Sequence, residues 1–324
     1  MRKKEQDVLL EFGEYVLVII DEFPQLPSKV FERIYRIWEQ TGKTFLLLCL
    51  GDFHQLPSIE GTNAKDSGYW KHVFKAKLHT NWRAEDDDTL KKKLGAMRKN
   101  VPTRSVRIFI LRGHKAWDHR GAPNESDIRA LYRSHQNTTL AVDTKKGAQE
   151  LNDLAAKVAV GRRRALVTLA CDYEDNAENF NRGELIADVQ PKPAAITMRR
   201  GLRLVLTKNL DKENDFVNGM RCTVKRWNAQ CNYIEVETIT GKPLEVYQYT
   251  DPDSKARNLS YFPLRLGYAG AIYKLQGAEL PHVTIYLKNT GQRAAAYVAM
   301  SRVKKDCDYL FGGWYTKKHF VPNN

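Results

Sequence analysis

Asp21 and Glu22 are the first residues whose types and spacing suggest chemistry. They follow one another at the end of the apolar run YVLVII, Tyr15 to Ile20. In such a pair, one carboxylate can hold Mg²⁺ directly or through water while its neighbour orients and deprotonates an attacking water. An acid at the end of an apolar strand can also simply cap the next helix. On these residues alone both readings stay open. His54 has no metal-ligating neighbours at useful spacing, and it reads as a structural or ligand-facing residue.

The pair has to be positioned by its elements. An unbroken apolar run rich in β-branched residues predicts a strand buried on both faces, as in a parallel sheet. Acids at its carboxyl end then lie where open α/β sheets bind ligands. A two-proline turn, FPQLPSK, follows, and Ser28 is placed to cap a helix over 29–40 with Val30, Phe31, Ile34, Ile37 and Trp38 at helical spacing. Phe45 to Asp52, FLLLCLGD, predicts a second buried strand ending in a carboxylate, which completes a βαβ unit. Thr41 to Thr44 reads TGKT but follows a helix and opens a strand, so it fails the context of a phosphate-binding loop. A charged, helix-friendly run covers 84–100, a short helix 127–135, a strand 138–142 and a helix 145–158. Between 161 and 262 the segments RCTVKRW, NYIEVETI and PLEVYQY alternate with Gly, Asn and Pro, which predicts a small antiparallel β module. HVTIYL, a helix over 293–302 and DYLF return to α/β.

The totals bound the class. The 324 residues carry 52 Lys and Arg against 38 Asp and Glu, a formal charge of +14 that suits a polyanionic partner, nucleic acid first. Five cysteines, odd in number and without a C-x-x-C pair, argue against a disulfide framework or zinc ribbon and fit a reducing, intracellular compartment. Apolar runs of about six residues fall far short of a membrane span. The N-terminus has no secretory core.

Beyond Asp21-Glu22, further motifs come in a fixed order: GDFHQLP (51–57), NWRA (81–84), VNGMRCTV (217–224), IYKLQGAELPHV (272–283) and YVAMSRV (297–303). This series resembles the superfamily-one DNA helicases of 5′-to-3′ polarity, in particular the petite integration frequency (PIF) family, with RecD-like features in Q-G-x-E-L. The resemblance implies an α/β fold of two RecA-like P-loop NTPase domains with an SH3-like β insert in the second. It would divide the chain into 1–80, 81–160, 161–262 (the insert) and 263–324. It implies ATP and Mg²⁺ as cofactors, single-stranded DNA and duplex junctions as partners, and roles in recombination, repair or telomere maintenance. The compartment would be the nucleus or mitochondrion of a eukaryote, or otherwise the cytoplasm.

Carried over residue by residue, Asp21 would ligate Mg²⁺ and Glu22 would act on the hydrolytic water. Gln55 would sense the γ-phosphate, an amide being able to donate and accept at once. Arg83 and Arg302 would be arginine fingers. Gln276, with Lys274 and Gly277, would couple nucleotide state to DNA, with His54 and Tyr273 also on the DNA side. Gly219 would serve a tight turn and need no chemistry. Phe53, Trp82 and Tyr273 could stack on bases, although core packing is the commoner fate of an aromatic.

The departures carry expectations as well. No G-x-x-x-x-G-K-[ST] follows a strand, so the chain reads as a helicase whose first RecA-like domain lacks its N-terminal part, with weak or absent ATPase activity alone. A further N-terminal segment or fused domain is then expected, and FLLLCL becomes an exposed apolar edge. Ala271 and Leu275 stand where the family has hydroxyl residues, which puts coupling in doubt. Trp82 for a tyrosine and Ser58 for a proline are milder changes. The alternatives are a non-catalytic single-stranded nucleic-acid-binding module, or the helicase end of a mobile-element protein.

Overall fold

The computed structural model describes residues 14–56, 58, 61–78, 82–84, 86–172, 193–250, 260–288, 293–313 and 315–322. Asn81, Pro57, the Trp82 side chain and parts of the predicted β module therefore lie outside what is described. In chain order come β1 (Leu17–Ile20), α1 (Ser28–Gln40), β2 (Leu46–Cys49), α2 (Asp88–Lys99), α3 (Arg104–Leu111) and α4 (Glu125–Ser134). β3 (Thr139–Val142), α5 (Lys145–Val160), β4 (Ala165–Cys171), β5 (Ala194–Arg199) and β6 (Arg203–Leu206) follow. Then come β7 (Arg221–Asn228), β8 (Tyr233–Thr238), β9 (Pro243–Val246), β10 (Tyr249–Thr250), β11 (Ser260–Tyr261), β12 (Leu264–Leu266) and β13 (Ala269–Ala271). The last elements are β14 (Val283–Tyr286), α6 (Ala295–Met300) and β15 (Tyr309–Gly312).

The chain divides into two compact units, one of residues 1–122, 141–143 and 271–324, the other of residues 123–140 and 144–270. In the first unit β1 and β2 pair in parallel, Leu17 opposite Leu46 and Ile20 opposite Cys49. The helix between them begins one residue earlier than expected. Pro27 is its N-cap, and the Ser28 hydroxyl is bonded to Thr62 Oγ1 (2.6 Å). Phe31, Tyr35 and Ile37 form its buried stripe, while Val30 is exposed, because the apolar pocket is aromatic: Phe23, Phe31, Trp70 and Phe53 pack edge to face or stacked around it.

The expectation of strands buried on both faces is corrected here. Ile20 and Cys49 pack against the aromatic cluster, but Val16, Ile19 and Leu46 are exposed, the first at 85%. A two-stranded ribbon has one helix layer to cover it among the described residues, so only one face finds a partner. The main core of the unit gathers Leu90 and Met97 of α2, Ile110 of α3, Val283 and Ile285 of β14, and Val298 and Met300 of α6. The charged run at 84–100 becomes α2 capped by Asp87, whose Oδ1 accepts from the Leu90 amide at 2.8 Å, and a separate α3 follows it.

In the second unit α4 and α5 are capped by Asn124 and Thr144. An antiparallel sheet runs in the order β12-β6-β7-β8-β9, with β4 and β5 as a separate antiparallel pair. In the first unit β14 and β15 pair in parallel, Val283 opposite Tyr309 and Tyr286 opposite Gly312, and β14 is buried at every position, as a parallel-type strand requires.

Candidate active site

β1 delivers Asp21 and Glu22 at its carboxyl end. The chain turns sharply there: Glu22 is left-handed at φ 49° and ψ 38°, its amide donating to Asp21 Oδ1 at 2.8 Å. Such a backbone is unfavourable for a residue with a Cβ, and the Glu22 side chain makes no capping hydrogen bond. Capping therefore does not account for the pair, and neither acid caps α1. The turn leans on Gly51, where a Cβ would run into the Pro24 ring. Phe23 N donates to Leu50 O (2.8 Å), tying the turn to the end of β2.

Glu22 meets Gln276, which closes the 272–275 turn segment, Nε2 donating to Glu22 Oε2 at 3.0 Å. Gln276 Oε1 is buried and has no hydrogen-bond partner among the described residues. Gly277 follows at φ +78°, a conformation that suits glycine.

Gln55 meets Arg302, whose Nη2 donates to Gln55 Oε1 at 3.5 Å and to Ser301 Oγ at 2.7 Å. Arg302 Nε is held by Val298 O at 3.0 Å, and the residue is only 2% exposed. Burial first, and then the neighbouring Arg83 charge, pull its pKa down to about 10, while Glu22 acts in the opposite sense. It stays cationic at neutral pH. Arg83 Nη1 donates to Ser301 O at 2.9 Å, so both arginines converge on one turn. Downstream of that turn the chain is held by α2 and its cap: Asp87 Oδ2 accepts from the Asp306 amide (2.8 Å), and the buried Lys93 reaches Asp306, Tyr309 OH and His114 Nε2, each within 2.9 Å.

Asp52, to which no motif assigned a role, is the hub of a second network. Its carboxylate accepts from Tyr297 OH (3.0 Å), Arg98 Nη2 (3.1 Å), the His54 amide (3.1 Å) and His54 Nδ1 (2.9 Å). Burial opposes its ionisation, but the His54 amide and the Arg98 charge outweigh that and hold its carboxyl below the usual range. Its place at the end of β2, parallel to the acids ending β1, was the available signal. Tyr297 opens the YVAMSRV motif but was given no role there, and Arg98 carried no signal.

The structure thus brings Asp21, Glu22, Gln55, Arg83, Arg302 and Gln276 together. His54 is drawn into the Asp52 network, Tyr273 packs on the main core, and Lys274 is exposed on its turn. Phe53 is an aromatic core residue. Gly219, at φ +89°, donates to Leu206 O in a tight turn, and TGKT does lie between α1 and β2. Among the described residues no cluster of three or more His, Cys, Asp or Glu could hold a metal.

No protein-family model matches the chain. It is 25% identical over 310 residues to the ATP-dependent DNA helicase PIF1 of Danio rerio, covering 89% of this chain and 44% of that protein. It is 23% identical over 320 residues to the ATP-dependent DNA helicase Pif1 of Bdellovibrio bacteriovorus, covering 94% and 67%. The chain thus spans less than half of the first relative. Its fold matches the Pif1 helicase of Candida albicans, with a TM-score of 0.72 at 18% identity over 98% of this chain and 77% of that one. A Pif1 helicase from Bacteroides, solved in complex with ADP-AlF3 and single-stranded DNA, matches equally, with a TM-score of 0.72 at 18% identity over 99% and 76%. In fold, and in sequence along most of its length, this chain resembles the PIF-type superfamily-one DNA helicases.

Proposed function

We propose that this chain carries the hydrolytic and coupling residues of an ATP-dependent, 5′-to-3′ PIF-type DNA helicase acting on single-stranded DNA and duplex junctions in recombination, repair or telomere maintenance. The observation that carries this reading is the convergence of Glu22 with Gln276 and of Gln55 with Arg302 and Arg83. Gln276 holds Glu22 Oε2, leaving Oε1 to take a proton from water, and the orphaned Gln276 Oε1 suits the donor that such a water provides. Arg302 and Arg83 are placed to meet negative charge that develops near Gln55.

Asp21 is exposed and offers one carboxylate, a donor set that fits Mg²⁺ held chiefly by phosphates and water. When bound, the ion supplies charge neutralisation on those phosphates. Lys274, Gln276, Tyr273 and His54 are assigned to the DNA side. Residues 1–80 belong to the first RecA-like domain, 81–160 and 263–324 to the second, and 161–262 to its SH3-like insert.

The test is ATP hydrolysis and single-stranded DNA binding by wild type and Glu22→Gln. The expected result is DNA binding that weakens steeply with salt, with ATP turnover weak or absent, because the sequence holds no phosphate-loop amides or lysine. Any residual turnover disappears in Glu22→Gln while DNA binding persists. Turnover unchanged by Glu22→Gln overturns the assignment of Glu22. A chain that ignores single-stranded DNA at low salt overturns the DNA reading, and DNA binding with no nucleotide response leaves a binding module.

A further inference from the structure

In the second unit, β6, β7 and β12 turn alternate residues to opposite faces of their sheet. Leu204, Leu206, Cys222 and Val224 lie on the buried face. The other face carries Arg203 of β6, Arg221 of β7 and Arg265 of β12. Val205 pairs with Arg221 on one side and Arg265 on the other, and Arg203 is two residues from Val205 on the same face. Three guanidinium groups thus occupy two adjacent rows of one sheet face.

They are not equally provided for. Arg203 is clamped between the rings of Tyr132 (4.9 Å) and Tyr268 (4.3 Å), and its Nη1 donates to Thr138 O at 3.1 Å. Arg265 reaches the buried carboxylate of Asp172 at 3.3 Å. Arg221 is only partly exposed, and among the described residues its guanidinium has neither a hydrogen bond nor a carboxylate. Burial and then the Arg203 charge pull its pKa down to about 10. The buried Lys93 shows what an ordinary solution looks like, with a carboxylate, an imidazole and a phenol all in reach. A half-buried cation without such partners, beside a second cation, destabilises the fold unless an anion arrives.

The geometry points to a phosphate-binding site on this sheet face, with Arg221 as the free fork, Arg203 as its rigid neighbour and a phosphodiester of a single-stranded nucleic acid as the ligand. An arginine fork matches phosphate oxygens in pairs, and aromatic clamping of Arg203 removes the rotamer freedom that binding would otherwise have to freeze. The +14 charge of the chain favours the same ligand. The choice of nucleic acid rests on the function proposed above, while the anion site itself does not.

The test compares Arg221→Met with Arg226→Met, which removes an arginine of the same strand that is exposed and paired with Glu235. Arg221→Met is expected to weaken single-stranded DNA binding about tenfold, the size of one charge-assisted contact, and to reduce the salt slope by about one. Arg226→Met should change affinity less than about twofold, since an exposed pair contributes little. Without DNA, Arg221→Met should melt no lower than wild type, because it removes an uncompensated cation. Equal losses in both variants, or a lowered melting point with unchanged DNA affinity, overturn the proposal. If the wild-type chain binds no DNA at all, tripolyphosphate replaces it, at ionic strength matched with chloride. Melting raised in wild type and not in Arg221→Met keeps the anion site while the DNA reading fails, and equal shifts overturn both.

Discussion

Arg302 and Asp52 are both charges placed largely out of reach of water, and each is held by local groups together with residues far away in sequence: Gln55 for Arg302, Arg98 and Tyr297 for Asp52. Arg302 keeps its proton because its donors find Val298 O, Ser301 Oγ and Gln55. Asp52 keeps its charge because four donors converge on it. The consequence for Asp52 has a definite sign. A carboxylate whose folded pKa is depressed contributes stability that is present above its unfolded pKa of about 3.9 and is lost as pH falls through the lower folded value. Denaturant midpoints measured from pH 6 down to pH 2.5 should therefore fall along an acid limb, and that limb should be shallower in Asp52→Asn. An identical limb in the variant would mean that the network contributes nothing to folding through the charge of Asp52.

At the scale of elements, the β1–β2 ribbon is the feature with most at stake. One face packs on Phe23, Phe31 and Trp70, while the other leaves Leu17, Ile19, Leu46 and Leu48 in solvent. Exposed apolar strands of this kind template association. Light scattering of the concentrated chain should rise with time and be suppressed in the double variant Ile19→Glu, Leu46→Lys. The melting point of that variant should stay close to wild type, since both sites are exposed. A wild type that stays monodisperse, or a variant that scatters as strongly, would count against the ribbon as the source. The helices were easier to foresee than their caps. Capping residues such as Asp87, Asn124 and Thr144 act over three residues, yet Ser28 faces Thr62 across 34 residues, where no local rule reaches.

For the whole molecule, the five cysteines and the charge are the global signals. All five thiols are free. Cys231 and Cys307 are exposed, Cys49 is intermediate, and Cys171 and Cys222 are buried. Burial pushes the Cys49 thiol up to about 11 and those of Cys171 and Cys222 up to about 12, so these three are poor nucleophiles. A thiol-reactive probe at pH 8 should modify about two groups quickly, with the other three reacting only after unfolding. Five fast thiols would mean that the cores around Cys171 and Cys222 open readily. No helix among the described residues is long and apolar enough to cross a membrane, in line with the short apolar runs.

What the amino-acid order determined by itself is local or additive. Strand and helix placement followed from hydrophobic period, the expectation of a polyanionic partner from summed charge, and the candidate acids, amide and arginines from short motifs resembling a helicase family. The tertiary structure decided which of these residues meet. Glu22 and Gln276 are 254 positions apart and Gln55 and Arg302 are 247 apart, so no periodicity could pair them. It also decided which charges are compensated: Lys93 and Asp52 find partners across the core, while Arg221 finds none among the described residues. Burial of β1 failed as an expectation for the same reason. An apolar run specifies that a strand seeks cover, but whether a second layer exists to cover it is a property of packing between distant segments.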